Sequence, residues 1–412
     1  MAKHRTRRGR GRATLGAAVV AMGSALVWGP TGAGAAFPGG NGTLACQTSR
    51  TGNSEIFTFS ATGTEIQATN ITNNPASDAR PRYSPDGRTI VFESNRDGPT
   101  ELYLMNADGS NVRRLTFSPA GGHGNGAANF SPGGDQIVYQ TTRNGNFDVY
   151  RIDVDGTNDT PLVTSPVEDS LPAWSPNGDK IAISSRQVDA ATDVHLMNPD
   201  GSGLVDITNS PGEDSWPVWS PDGSMLAFHS RRDDPNGEEI YRMNADGSNV
   251  VRLTNNPGPV QGSFDIFPFW SPDGSRIGWN SGRAGGADGF GEIFTMNALD
   301  GSGVTRITNN AATDQRCDWQ PLCTIYGSGR IIGTPGDDVI CGSEGNDLIV
   351  GNGGNDRILG MGGNDLIYGN PGNDKIFGGA GSDSIVGNGG NDLGDGGTGR
   401  DSCVGVTTAR SC

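Results

Sequence analysis

The stretch "WSPDGSMLAFHSRRDDPNGEEIYRMNADGSNVVRLT", Trp219–Thr254, contains most of one structural unit. Pro221, Asp222 and Gly223 form a tight turn, because proline presets φ and glycine accepts positive φ. The apolar "MLAFHS" (Met225–Ser230) then reads as a buried strand. A polar loop rich in Arg, Asn, Asp and Gly follows, and the alternation in "EIYRMN" (Glu239–Asn244) gives a second strand. Asp246–Gly247 is a strong hairpin signal, and the last strand runs out at Leu253–Thr254.

The unit recurs. Its marker, an aromatic residue before Ser-Pro-Asp-Gly, stands at Tyr83–Gly87, Phe130–Gly134, Trp174–Gly178, Trp219–Gly223 and Trp270–Gly274. The spacing is 44 to 51 residues. A worn copy, "FPGGNG", begins at Phe37, and a truncated copy, "CDWQP", ends at Pro321. Three strands plus the short segment before each aromatic make four strands per unit, and four-stranded units of this length are propeller blades. Six are expected. The orphan "RCDWQP" (Arg316–Pro321) supplies the missing strand of the first blade and closes the ring, which removes an exposed sheet edge. This pattern, "WSPDG" through "MNADGSN" to "RLT", resembles the TolB-like propeller repeat family over about 285 residues. Trp174, Trp219, Trp270 and Trp319 share one position in the repeat and are read as core spacers between blades.

After Cys323 the period falls to nine. "GNGGNDRILGMGGNDLIYG" (Gly351–Gly369) repeats almost letter for letter after nine residues, and such units run from Thr334 to Gly405. Each carries turn glycines and one aspartate: Asp338, Asp347, Asp356, Asp365, Asp374, Asp383, Asp392 and Asp401. "GGAGSDSIV" (Gly378–Val386) fits the calcium-binding RTX-type nonapeptide without a mismatch. The resemblance implies a parallel β-roll with two units per turn. Units two apart stack on one edge, so Asp338, Asp356, Asp374 and Asp392 form one ladder and Asp347, Asp365, Asp383 and Asp401 the other. Hard anionic oxygens beside turn carbonyls suit Ca²⁺. Ile340, Ile349, Ile358, Ile367, Ile376 and Ile385 build a thin core, so folding is expected to depend on the metal. Gly394 and Cys403 replace the isoleucine in the last two units, and "IYGSGRIIG" before Thr334 lacks the aspartate and reads as a cap. The competing reading is a metal-free structural solenoid.

The overall expectation is an all-β chain, with a six-bladed propeller over 37–322 followed by a parallel β-roll over 323–412. Residues 1–36 read as an export signal: a basic start with Lys3, Arg5, Arg7, Arg8, Arg10 and Arg12, an apolar stretch, and small residues up to Ala35–Ala36. A membrane anchor is the competing reading of that segment; no other apolar run is long enough to span a bilayer. Removing those six cations and no anions takes the formal net charge from −16 to −22, a surface that repels nucleic acid and attracts cations. Export permits disulfides. Cys46–Cys317, Cys323–Cys341 and Cys403–Cys412 suit the expected strand positions, as one of fifteen pairings.

The remaining chemistry is sparse. His195 takes the place of Tyr103 and His229 the place of Glu93 in their repeats; with His123 they are read as structural. There is no G-x-S-x-G nucleophile elbow. The functional expectation is a secreted, extracellular or cell-envelope protein that binds calcium and offers a propeller face to a protein, peptide or glycan. The alternative is a propeller enzyme, a lyase or hydrolase, acting on polysaccharide. Its channel would need a cluster of His, Arg, Glu or Gln.

Overall fold

The computed structural model describes residues 40–62, 65–118, 123–186, 191–233, 237–256, 264–283, 291–310 and 312–412. The expected export signal lies outside them. Every regular element among the described residues is a strand. Six four-stranded antiparallel sheets are followed by two parallel sheets, as the two repeat periods require.

Blades two to six each take four strands in chain order. In blade two these are Asp78–Tyr83, Thr89–Ser94, Glu101–Asn106 and Arg113–Arg114. Blade one is assembled from both ends of the repeat region. Its innermost strand is Asp314–Leu322, paired antiparallel with Gly40–Thr48. The Cys46–Cys317 disulfide joins these two strands across 271 residues of sequence. The hydrophobic core lies between blades, in clusters that each join two neighbours, such as Trp216, Ile240, Trp270 and Trp279 between blades five and six. Trp219 and Trp270 wedge between blades, and their indole N–H groups donate to the Ala173 and Val218 carbonyls at 3.1 and 3.2 Å.

The inner strands share a feature that the sequence pattern does not show. The third residue of each is left-handed: Arg80, Ala127, Leu171, Trp216, Phe267 and Arg316, with φ between 47 and 61°. Each coincides with a register shift in the ladder, that is, a β-bulge. Left-handed geometry costs a non-glycine residue about 1–3 kcal/mol. The surrounding structure supplies an offset. In five blades the bulged N–H donates to a side chain at the penultimate position of the preceding blade's second strand. Ala127 donates to Glu93 (2.6 Å), Leu171 to Gln140 (3.0 Å), Trp216 to Ser184 (3.1 Å), Phe267 to His229 (3.4 Å) and Arg316 to Asn280 (3.0 Å).

A second set of bonds explains the recurrent Leu-Thr and Ile-Thr. The threonine hydroxyl accepts the backbone N–H at the start of the third strand and donates to the acid just before it. Thr116 does this with Leu102 and Glu101, Thr254 with Ile240 and Glu239, and Thr308 with Ile293 and Glu292.

The C-terminal roll makes about five turns. One sheet holds Ile325–Tyr326, Val339–Cys341, Arg357–Gly362, Lys375–Gly381, Leu393–Gly399 and Thr408–Arg410; the other holds Arg330–Ile332, Leu348–Val350, Leu366–Pro371, Ser384–Gly389 and Ser402–Val404. Paired strands are parallel, and residues eighteen apart lie side by side, as in Ile340, Ile358 and Ile376. The isoleucines form one buried stack from Ile331 to Ile385. Cys323–Cys341 and Cys403–Cys412 are bonded at the two ends of the roll.

Candidate metal centre

The eight aspartates stack as two ladders. The backbone N–H of Asp338 donates to Asp356 Oδ1, Asp356 to Asp374 and Asp374 to Asp392, each at 2.9 Å. On the other edge Asp347 donates to Asp365, Asp365 to Asp383 and Asp383 to Asp401, each at 2.8 Å. Each rung therefore fixes one carboxylate oxygen of the next, and the second oxygen is left to other partners.

That second oxygen divides the ladder into classes. In Asp356, Asp365, Asp374, Asp383 and Asp392, Oδ2 is buried and has no hydrogen-bond partner. Leaving one anionic oxygen dry and unpaired is costly, and five such oxygens in successive units make a row of acceptors suited to cations. In the first two units the chain fills the role itself: Thr334 donates N–H and Oγ1–H to Asp338 Oδ2, and Ser343 does the same for Asp347. The other units have Asn352, Met361, Asn370, Gly379 and Asn388 at that turn position. Asp401 is half-buried at the rim.

Glycine makes room for each bare oxygen. A Cβ on Gly351, Gly360, Gly369, Gly378 or Gly387 would lie 2.3–2.5 Å from the Oδ2 of the aspartate five residues on. Gly394 fits its own departure from the pattern, since a Cβ there would meet Val406 and Cys403, which occupy the missing isoleucine's space. Asp392 thus keeps the bare oxygen of its ladder.

Burial, then the negative charge of the neighbouring rungs, raises four of these carboxyls above the usual range. Asp356, Asp374 and Asp383 are pushed up to about 6 and Asp365 to about 7. A positive charge placed among these rungs would favour their ionised form. Among the described residues no group of three or more His, Cys, Asp or Glu side chains could hold a metal by itself. One carboxylate per half-turn needs additional oxygen from the turn backbone, which suits a hard cation of high coordination number.

The histidines serve elsewhere. His229 is buried, and desolvation pushes it down to about 3, so its ring is neutral and Nδ1 is the acceptor for Phe267. His195 is buried with Nδ1 3.3 Å from the Asp193 carbonyl, and the Nδ1 of His123 lies 3.0 Å from the Thr142 carbonyl. The channel wall carries Arg80, Arg82 and Trp216, with Arg80 paired to Glu93 at 2.8 Å and Arg82 to Asp318 at 3.5 Å.

These two architectures define a protein with a ring of bulged blades followed by a parallel roll with carboxylate edges. Residues 23–202, 166–261 and 207–326 match the TolB beta propeller domain, and the chain belongs to that family. Residues 332–367 and 368–403 match the RTX calcium-binding nonapeptide repeat. The chain is 50% identical over 42 residues to the uncharacterized peptidase YuxL of Bacillus subtilis, a stretch covering 10% of this chain and 6% of that protein. It is 50% identical over 38 residues to the Tol-Pal system protein TolB of Anaeromyxobacter dehalogenans, 9% of each. These matches thus span less than a tenth of the relatives' own length. Among solved structures, TolB from Acinetobacter baumannii superposes with a TM-score of 0.55 at 17% identity, over 68% of this chain and 67% of that one. Hydrazine synthase of Kuenenia stuttgartiensis gives 0.52 at 17%, over 71% and 47%. At that identity the likeness is one of fold. Among the described residues, no helix is long and apolar enough to cross a membrane.

Proposed function

We propose that the chain is an exported protein whose roll, residues 323–412, binds Ca²⁺ along its two aspartate ladders. Asp356, Asp365, Asp374, Asp383 and Asp392 would supply the metal-facing oxygens, with Asp338, Asp347 and Asp401 as the ladder ends. The five bare, buried Oδ2 atoms carry this reading. Ca²⁺ would neutralise rungs that otherwise repel one another. The roll's own contribution is a thin isoleucine core, so metal and folding are coupled. Residues 1–36 would direct export to a compartment where calcium is plentiful and disulfides persist.

The propeller, residues 37–322, is read as a binding scaffold for a protein, peptide or glycan. His195 and His229 are buried within its blades, and the acids of the inner strands are held in ion pairs, such as Asp78 with Arg96 and Asp214 with Arg232. Side chains used this way favour a scaffold over a polysaccharide-cleaving enzyme. The test is calorimetric titration of the mature chain with Ca²⁺, with circular dichroism in calcium and in chelator. Several bound ions and a gain of β-signal from the roll alone are expected; an identical spectrum in chelator at neutral pH would remove the proposal.

A further inference from the structure

The two sheets of the roll differ on their outer faces. On the second sheet the outward side chains meet solvent, with Leu366 37% and Val404 60% exposed. On the first, the outward Arg357, Leu359 and Phe377 are 4, 0 and 2% exposed. What covers them is the propeller, at the face where the Ser-Pro-Asp-Gly turns emerge. Arg357 donates to two of these turns, from Nη1 to the Pro176 carbonyl (3.1 Å) and from Nη2 to the Pro132 carbonyl (3.0 Å), and lies over the Phe377 ring. Those carbonyls belong to blades three and four. The same arginine lines a cleft whose other wall is Pro221, Asp222, Pro272 and Asp273, from blades five and six. It therefore sits at the middle of the face, over the channel.

Other contacts spread across the same face. Arg410 donates to the Asn177 carbonyl, and the Arg88 guanidinium of blade two lies 3.3 Å from the centre of the Tyr326 ring. Lys375, next to Arg357 in the sheet, feels the charges of Asp222 and Asp179.

We propose that the roll is an intramolecular plug. Its first sheet seats on the turn face, Arg357 closes that mouth of the channel, and calcium in the ladders sets the plug. The metal control rests on the calcium reading above; the plug does not. The link is covalent and short. Arg357 follows Asp356 directly, and its N–H donates to the Asp338 carbonyl at 2.8 Å, so the ladder fixes where the guanidinium points. In calcium the turn face is covered by the roll; without it that face meets solvent.

Hydrogen exchange on the mature full chain, in Ca²⁺ and in chelator, tests this. Peptides spanning 131–134, 175–178 and 220–223 should exchange about tenfold faster in chelator, together with the roll peptides. Arg357→Met should bind Ca²⁺ as the wild type does and keep the roll protected, yet lose the protection of 131–134 and 175–178. On the unaltered chain, zero-length carbodiimide coupling should join Lys375 to Asp179 or Asp222 in calcium only. Turn peptides indifferent to chelator while the roll unfolds, or wild-type protection in Arg357→Met, would overturn the plug. Roll peptides indifferent to chelator would overturn the metal control, leaving Arg357→Met and the coupling to decide the plug alone.

Discussion

His229 and Phe267 lie in neighbouring blades, and the imidazole Nδ1 of one accepts the backbone N–H of the other at 3.4 Å. Burial holds the folded-state pKa of His229 at about 3, below its ordinary 6.5. The unfolded chain takes up a proton below pH 6.5 that the folded chain refuses. Stability from this residue is therefore complete above pH 6.5 and is lost on acidification, by up to about 1.4 kcal/mol per pH unit. His229→Gln keeps an acceptor and cannot titrate. Urea midpoints of the two proteins should agree near pH 8 and separate between pH 6 and 4, the wild type falling faster. Parallel curves would show that the ring is not held neutral.

Asp374 and Asp347 hold the same position in their nonapeptides and differ in one oxygen. Asp374 Oδ2 is bare, whereas Asp347 Oδ2 already accepts two bonds from Ser343. Asp374→Asn should weaken calcium binding by about tenfold or more, a loss of the size seen when a metal's supporting shell is broken. Asp347→Asn should do markedly less. Equal losses in calorimetry would mean that the ladder rungs are interchangeable.

Gly360 and Gly336 make a matched pair within the roll. A Cβ at Gly360 would fall 2.4 Å from Asp365 Oδ2 and 2.3 Å from the Gly378 carbonyl, while at Gly336 the nearest atom is 3.8 Å away. Gly360→Ala should cost the roll about 1–3 kcal/mol and blunt its calcium response. Gly336→Ala should be close to silent. Circular dichroism against calcium concentration reads both.

The Cys46–Cys317 bridge closes a very long loop, and constraint of the unfolded chain by such a loop is worth roughly 5 kcal/mol in the entropic account. Replacing both cysteines with alanine should lower the propeller's thermal midpoint while leaving the roll's calcium isotherm unchanged. A fall in calcium affinity would instead tie the roll's fold to ring closure.

Turn chemistry made both repeats legible. Asp-Gly and Ser-Pro-Asp-Gly fix strand ends by backbone geometry alone, so the blades, the closing strand at Trp319 and the register of the ladders follow from the letters. The three disulfides match the pairing that the expected strand positions suited, one of fifteen the letters left open. The bulge acceptors did not, because Glu93, Gln140, Ser184, His229 and Asn280 share a role and no chemistry beyond a lone pair. The sequence comparison of His229 with Glu93 found the position and missed its use. Likewise the eight aspartates look alike until the residue four places earlier is considered: Thr334 and Ser343 carry a hydroxyl, and Asn352 and Gly379 do not. Arg357 stands at a variable site of the nonapeptide, where no pattern marks it as buried.

Blade one takes its innermost strand from residues 314–322, and that has a consequence for biogenesis. As the polypeptide emerges from a ribosome or a translocase, five blades are available in order while the sixth position waits for nearly the whole repeat region. Until then Gly40–Thr48 presents an unpaired edge, open to proteases and to strands of other molecules. A chain that stops short of Asp314 carries that edge permanently.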